Sequence, residues 1–152
     1  MGEKKIADNR RARHDYQVLE RFEAGIELQG TEVKSLREGH VNFRDSYAEV
    51  RGGELYWVSG HIAPYTQGNI YNHREDRPRR LLMHKREILR LGSQVDEKGL
   101  TLVPLRLYFK DGRAKMELGL CRGKQRSDKR ATLREREQAR EIDRAVKQVR
   151  RR

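Results

Sequence analysis

Val18, Glu20, Phe22 and Ala24 fall on one side of a period-2 segment, and Ile26 and Leu28 continue that side as far as Gly30. Such alternation predicts a strand with one buried face. Residues 47–51, the pair Gly52-Gly53 and residues 54–58 read as a hairpin on a two-glycine turn. A second hairpin joins residues 100–109 to 114–121 through Asp111-Gly112. Pro104 has no N–H to give a ladder, so it predicts an edge or a bulge in the first arm. Two short helices interrupt the strands. Thr31 is placed to cap the first, Glu32 suits its first turn, and Gly39 can end it. Val33 and Leu36 then share an inner face, with Lys34 and Arg37 on another. The second helix occupies about residues 85–91, with Ile88 and Leu89 inward and Gly92 as the stop. Residues 66–80 read as a polar loop ending in Arg77-Pro78-Arg79-Arg80. Short strands, tight turns and minor helices together predict a mainly β fold. A small barrel of the oligonucleotide/oligosaccharide-binding (OB) type fits best, because closure removes the exposed edges of an open sheet.

Charge divides this picture. The 152 residues carry 35 Lys+Arg against 23 Asp+Glu, a net of +12. Residues 122–152 hold 13 of those cations and 5 of the acids, a net of +8, and none of the ten aromatic residues, which all lie between Tyr16 and Phe109. A segment so charged and without an aromatic anchor buries too little surface to offset its ordering entropy. The expected organisation is a basic arm over residues 1–15, a barrel over residues 16–121, and a basic tail over residues 122–152 that is disordered when free. In the tail, Ala139, Ile142, Ala145, Val146 and Val149 recur at helical spacing, opposite Arg134, Arg136, Arg140, Arg144 and Lys147. That thin stripe predicts a helix formed on a partner, starting near Ser127 or Asp128, with a permanently solvated tail as the alternative.

The same composition excludes several chemistries. No stretch approaches a membrane span, and Met1-Gly2-Glu3-Lys4-Lys5-Ile6 has no hydrophobic segment behind its charges, so a cytoplasmic protein is expected. A single cysteine, Cys121, forbids an internal disulfide, and the five scattered histidines show no metal-ligand spacing. Ser35, Ser46 and Ser59 lack a nucleophile-elbow context, and no glycine-rich loop leads from strand to helix. No cofactor, metal or small-molecule substrate is implied. A nuclease assembled from dispersed His, Lys and Glu stays as a third reading. A pI near 10.2 directs attention to nucleic acid. Arg13, His14 and Tyr16 combine a charge, a hydrogen-bonding ring and a stacking ring, although Tyr16 equally suits the core as the start of the first strand. Lys34 and Arg37 offer phosphate contacts or are ordinary solvated helix residues. Glu23 is unusual on an RNA face; it would accept from a base amino group or ribose hydroxyl, or orient a neighbouring arginine.

Six blocks carry a family resemblance. They are Asn9-Arg10-Arg11-Ala12-Arg13-His14-Asp15-Tyr16, Phe22-Glu23-Ala24-Gly25-Ile26, Gly30-Thr31-Glu32-Val33-Lys34-Ser35-Leu36-Arg37, His61-Ile62-Ala63-Pro64-Tyr65, Arg80-Leu81-Leu82-Met83-His84-Lys85-Arg86-Glu87-Ile88, and Gly123-Lys124 with Asp128-Lys129-Arg130. In this order and spacing they resemble the SsrA-binding proteins (small protein B) over about residues 5–150. The resemblance implies a non-enzymatic factor with an OB-type barrel. Such a factor binds the tRNA-like domain of transfer-messenger RNA and accompanies it to stalled ribosomes. The barrel would hold the elbow of that domain, and the tail would enter the vacant messenger channel as a helix.

Carried over by position, the resemblance implies RNA contacts at Asn9, Arg13, His14 and Tyr16 in the N-terminal block. It implies further contacts at Glu23, Leu82 and His84 on the barrel, and phosphate contacts at Lys34 and Arg37. Lys124, Asp128, Lys129 and Arg130 match the tail segment that engages the decoding region. The chain departs from the family pattern at Gln125, where a lysine is common, and at Ser127, where an aromatic or histidine is common. Arg126 offers a guanidinium plane as a substitute for stacking there. The competing reading is a ribosomal protein or translation factor that uses the barrel on ribosomal RNA.

Overall fold

A computed structural model describes residues 2–65 and 72–123. The elements run in the order β1 (Glu3–Asp8), α1 (Arg10–Asp15), β2 (Tyr16–Ile26), α2 (Gly30–Arg37), β3 (Val41–Asn42), β4 (Tyr47–Arg51), β5 (Glu54–Val58), β6 (His61–Ile62), β7 (Arg79–Leu82), α3 (Lys85–Lys98), β8 (Thr101–Lys110) and β9 (Arg113–Gly123). One sheet has the order β1-β8-β4-β5-β7-β2-β9, and β9 pairs back onto β8. The ring from β8 round to β9 is therefore closed, in agreement with the expected OB-type barrel. Strand β1 is added outside it on β8, and β3 pairs with β6 separately.

Both hairpins form where the sequence places them. Strands β4 and β5 pair from Tyr47↔Val58 to Arg51↔Glu54. Strands β8 and β9 pair from Thr101↔Cys121 to Lys110↔Arg113, turned by Asp111 and Gly112 at φ of 52° and 78°. The register slips between Pro104 and Arg106, so the proline sits at a bulge. In β2 the alternation is realised: Ala24 and Ile26 are buried and Phe22 packs on the core, while Arg21 and Glu23 are exposed. Leu55, Trp57, Leu81, Leu91, Leu107, Met116 and Leu118 are fully buried and fill the barrel. Burial of a side chain of this size stabilises by about 1.5–3 kcal/mol.

Four expectations differ from the structure. Within residues 1–15, β1 lies antiparallel on β8 from Glu3↔Lys110 to Asp8↔Arg106, and α1 buries Ala12. The basic residues mask three small or apolar positions, Ile6 and Ala7 on the main core and Ala12 on the second, which with the β1–β8 ladder seat this segment. Helix α2 begins after Gln29 rather than Thr31; Glu32 Oε1 accepts the Gln29 N–H at 2.7 Å, and Thr31 is drawn instead to His73. Helix α3 does not stop at Gly92 but ends at Gly99, whose φ of 61° is the left-handed conformation favoured by glycine. Gly92 faces Val50 of β4, where even a β-carbon would be in ordinary contact at 3.5 Å, so the helix packs on the strand through this position. The longer helix shifts the buried stripe to Ile88 and Leu91, with Val95 partly buried on the core, and Leu89 turns outward, 52% exposed. Finally, the polar stretch assigned to residues 66–80 ends earlier, because β7 begins at Arg79, whose charge is matched inside the fold. Residues 66–71 and the tail from residue 124 onward lie outside the described residues.

Candidate nucleic-acid interface

Helix α1 presents Arg10, Arg11, Arg13 and His14 outward and Ala12 inward. Asn9 makes this possible. Its Oδ1 accepts the Ala12 N–H at 3.3 Å, its Nδ2 donates to the Pro104 carbonyl at 2.8 Å, and its own N–H donates to Leu105 at 2.8 Å. Both ends of the Asn9 amide thus cap the helix and tie it to the β8 bulge. Tyr16 is half-buried against Ala12, Val103, Leu105 and Cys121, which form a second small core. His14 Nδ1 lies 3.0 Å from Asp15 Oδ1. Of the four candidates in this block, Asn9, Arg13, His14 and Tyr16, it is Arg13 and His14 that face solvent.

The outer faces of β2 and β7 carry a second group. Register places Leu82 opposite Gly25, and Glu23 shares the outward side of β2 with that glycine. Leu82 is 47% exposed, an unusual state for leucine, and exposed His84 follows at the start of α3. Glu23 Oε2 accepts the Tyr108 hydroxyl at 2.5 Å and lies 3.5 Å from Lys110 Nζ. The Tyr108 hydrogen bond outweighs burial and, with Lys110, holds the Glu23 carboxyl below its ordinary value. Burial, reinforced by Glu23, pushes the Tyr108 phenol up. Arg106 stacks 4.4 Å from the Tyr108 ring centre and pairs with Glu117 at 2.7 Å. The result is a carboxylate fixed in orientation and ionised, beside Lys110 and the Arg106–Glu117 pair.

Helix α2 contributes Lys34, whose Nζ lies 5.5 Å from the Tyr65 ring centre, and exposed Arg37 in its last turn. The helix is held by charge buried underneath. Glu32 and Arg79 are both fully buried and bonded at 2.6 Å; Arg77 reaches the other Glu32 oxygen at 2.5 Å. Arg79 also donates to the carbonyls of Gly60 at 2.7 Å and Glu75 at 2.8 Å. Burial alone would raise the Glu32 carboxyl, but Arg77, the Gln29 N–H and Arg79 outweigh it and leave it below the ordinary range. His73, in the stretch read as a polar loop, is buried. Its Nε2 donates to the Ile62 carbonyl at 2.8 Å, so in the neutral ring Nδ1 accepts from Thr31.

Apart from Lys34 and Arg37 on α2, the candidates among the described residues fall into two groups. Tyr16 and Glu23 are seven positions apart on β2, about 23 Å at roughly 3.3 Å per residue. Asn9 and Tyr16 support; Arg13 and His14 lie near one end of that strand, and Glu23, Leu82 and His84 near the other. Lys124, Arg126, Asp128, Lys129 and Arg130 lie outside the described residues. Sequence reasoning missed Tyr108 and Lys110 as partners of Glu23. The alternation that puts Arg106, Tyr108 and Lys110 on one side of β8, against Leu107 and Phe109, was the available signal. Among the described residues, no cluster of His, Cys, Asp and Glu suits a metal, and no helix is long and apolar enough to cross a membrane.

Comparison with known proteins gives this arrangement a context. An SsrA-binding protein of Carboxydothermus hydrogenoformans is 59% identical over 145 residues, covering 95% of this chain and 97% of that one. One of Geobacter sulfurreducens is 53% identical over 148 residues, covering 97% of each. A solved chain described as "tmRNA-SmpB: a journey to the center of the bacterial ribosome" superposes with a TM-score of 0.68 at 53% identity, covering 84% of this chain and 94% of its own. The family described as SmpB protein matches residues 6–148, a span that includes both exposed groups and the buried Glu32–Arg79 pair beneath α2. Its extent, with relatives above half identity at almost full length, places the chain in the SmpB protein family.

Proposed function

We propose that this protein is an RNA-binding adaptor of ribosome rescue. It binds the tRNA-like domain of transfer-messenger RNA through the barrel and brings it to ribosomes stalled on truncated messages, where the basic tail, residues 122–152, probes the empty messenger channel as a helix. The observation that carries this reading is the near-full-length similarity to SsrA-binding proteins and to the solved tmRNA–SmpB ribosome assembly. The working compartment is the cytoplasm, where ribosomes translate.

Site roles follow from exposure and chemistry. Arg13, His14, Lys34, Arg37, Leu82 and His84 contact RNA directly, the cations through phosphates and the others through bases or sugars. Glu23 accepts from a base amino group or a ribose hydroxyl. Asn9 and Tyr16 act through α1, by holding Arg13 and His14 in place. Lys124, Arg126, Asp128, Lys129 and Arg130 engage the decoding region, with Arg126 taking the stacking role that Ser127 cannot. The protein works by binding, without catalysis, as the family resemblance implies.

A rescue assay on ribosomes carrying messages without a stop codon tests the assignment. The full chain restores tagging by transfer-messenger RNA, and a chain ending at Gly123 binds that RNA yet fails to restore it. A truncated barrel that ignored transfer-messenger RNA but bound bare ribosomal RNA would favour the ribosomal-protein reading instead.

A further inference from the structure

Helix α3 packs on β4, and a groove of about 300 Å³ lies between them and the start of β8, at the lower end of the roughly 300–1,000 Å³ range of ligand sites. Its floor is apolar, built from Ala48, Val50, Val95, Leu100 and Leu102, and Tyr47 stands at its edge, 37% exposed. The charged residues that line it are two carboxylates, Glu49 and Asp96, with no Lys or Arg. In that it differs from its neighbours. The groove beside α1 carries Arg10, Arg11 and Arg44, and the one at the β8–β9 turn carries Arg113 and Lys115.

Asp96 is the member that the fold does not use. Arg51 pairs with Glu49 at 2.9 Å, but among the described residues no cation or hydrogen-bond donor reaches the Asp96 carboxylate. Asp96 also sits in the last turn of α3, where the partial negative charge of the helix end opposes it, and exposed Glu97 beside it adds to the same field. A local preference broken without compensation inside the fold marks a group kept for something outside it.

The position of the groove narrows the choice of partner. Thr101 lines it and pairs with Cys121, two residues before β9 ends at Gly123 and the chain continues into the tail. It is remote from the face at Glu23. Thr101 and Tyr108, which holds Glu23, are seven positions apart on β8, about 23 Å at roughly 3.3 Å per residue.

We propose that this groove docks a cationic segment of a ribosomal protein, with a Lys or Arg head on Asp96 and the Tyr47 ring and its aliphatic stem on the apolar floor. The inference rests on the ribosome-rescue function proposed above and adds a protein contact to it. Ribosomal RNA is a polyanion and is repelled by the same carboxylates that attract such a segment. An exposed tyrosine beside an apolar floor is the composition of an interface hot spot.

Reversing the charge at Asp96 tests this by sign. Lysine near the end of a helix suits the macrodipole, so the fold is expected to hold. The experiment uses the full-length protein with transfer-messenger RNA and purified ribosomes stalled on truncated messages. Asp96→Lys is expected to weaken ribosome binding about tenfold, the scale of one charged hydrogen bond, and Asp96→Asn to weaken it less. Affinity for the tRNA-like domain stays at the wild-type value in both, and the melting temperature does not fall. Tyr47→Ala is expected to give a smaller, few-fold loss. A photo-cross-linker carried by Ser93→Cys, one turn before Asp96, is expected to attach to a ribosomal protein. Cys121, the one native thiol, is buried, so the label goes to the new one.

Wild-type ribosome binding by Asp96→Lys would overturn the groove while leaving the rescue function intact. Tighter binding by that variant, or a cross-link to ribosomal RNA alone or to another copy of this chain, would give the groove to a different partner and also defeat the proposal. Failure of the wild-type protein to restore rescue would overturn the function itself. If Tyr47→Ala lowers the melting temperature, the two Asp96 variants decide.

Discussion

Glu32 and Glu23 are the same residue type in two regions nine positions apart in sequence, and both carboxyls are held below their ordinary value. Glu32 is fully buried between Arg77 and Arg79 and accepts the Gln29 N–H; every partner is part of the fold. Glu23 sits at the surface, and its hydrogen bonds from Tyr108 and Lys110 both fall on one oxygen, Oε2. The first region spends its charge on holding α2 to β7. The second fixes a charge in place without consuming it. An ionised carboxylate therefore reads as structural when its acceptor capacity is filled from within, and as a recognition group when part of it is left over.

The comparison can be broken from either side. Glu32→Ala leaves Arg79 buried beside a missing partner and is expected to cost about 3–5 kcal/mol in urea unfolding. A change below about 1 kcal/mol would mean the pair is dispensable. Acidification should act on the same group. Because the folded pKa of Glu32 is depressed, its contribution is present above the unfolded value, about 4.3, and is lost as pH falls through the lower folded value. Urea midpoints measured against pH should show that decline in the wild type and a shallower one in Glu32→Gln.

Smaller effects are expected on the exposed side. Glu23→Gln should fold within about 1 kcal/mol of the wild type and bind the tRNA-like domain about tenfold more weakly, the scale of one charged hydrogen bond. Tyr108→Phe should give a lesser, few-fold loss that largely vanishes in the Glu23→Gln background, since Tyr108 acts only through Glu23. Additive losses in that cycle would show that the two act independently. The smallest expected change is Arg13→Gln, which should lower the salt slope by roughly 0.7–0.9. His14→Ala should weaken binding with the slope nearly unaltered.

Much of the barrel was legible because local rules and tertiary demands agree in it. The β4–β5 and β8–β9 hairpins announce themselves by glycine turns between alternating arms, and Pro104 sits at the bulge its missing N–H requires. Where the two diverge, the sequence misleads. Gly92 is a helix breaker by local preference, yet packing on Val50 carries α3 through it. Arg79 and His73 are polar and read as surface, but Glu32, Thr31 and backbone carbonyls at positions far off in sequence satisfy them inside. Site residues were legible as types rather than as roles. The side chain of Asn9 caps α1 and bonds Pro104, which its type allows but its position does not announce, and the Tyr108–Glu23 bond joins residues 85 positions apart. No periodicity within one strand reveals such a pairing.

The central claim is that the barrel alone recognises transfer-messenger RNA and that the tail, with most of the net charge, serves the ribosome. Titration of a labelled tRNA-like domain with the full chain and with a chain ending at Gly123, at matched salt, tests it directly. The account predicts dissociation constants within a few-fold of each other, with only a modest drop in salt slope on truncation. Loss of affinity by orders of magnitude on removing the tail would contradict it, because the recognition would then lie in the tail's charge and not in the fold.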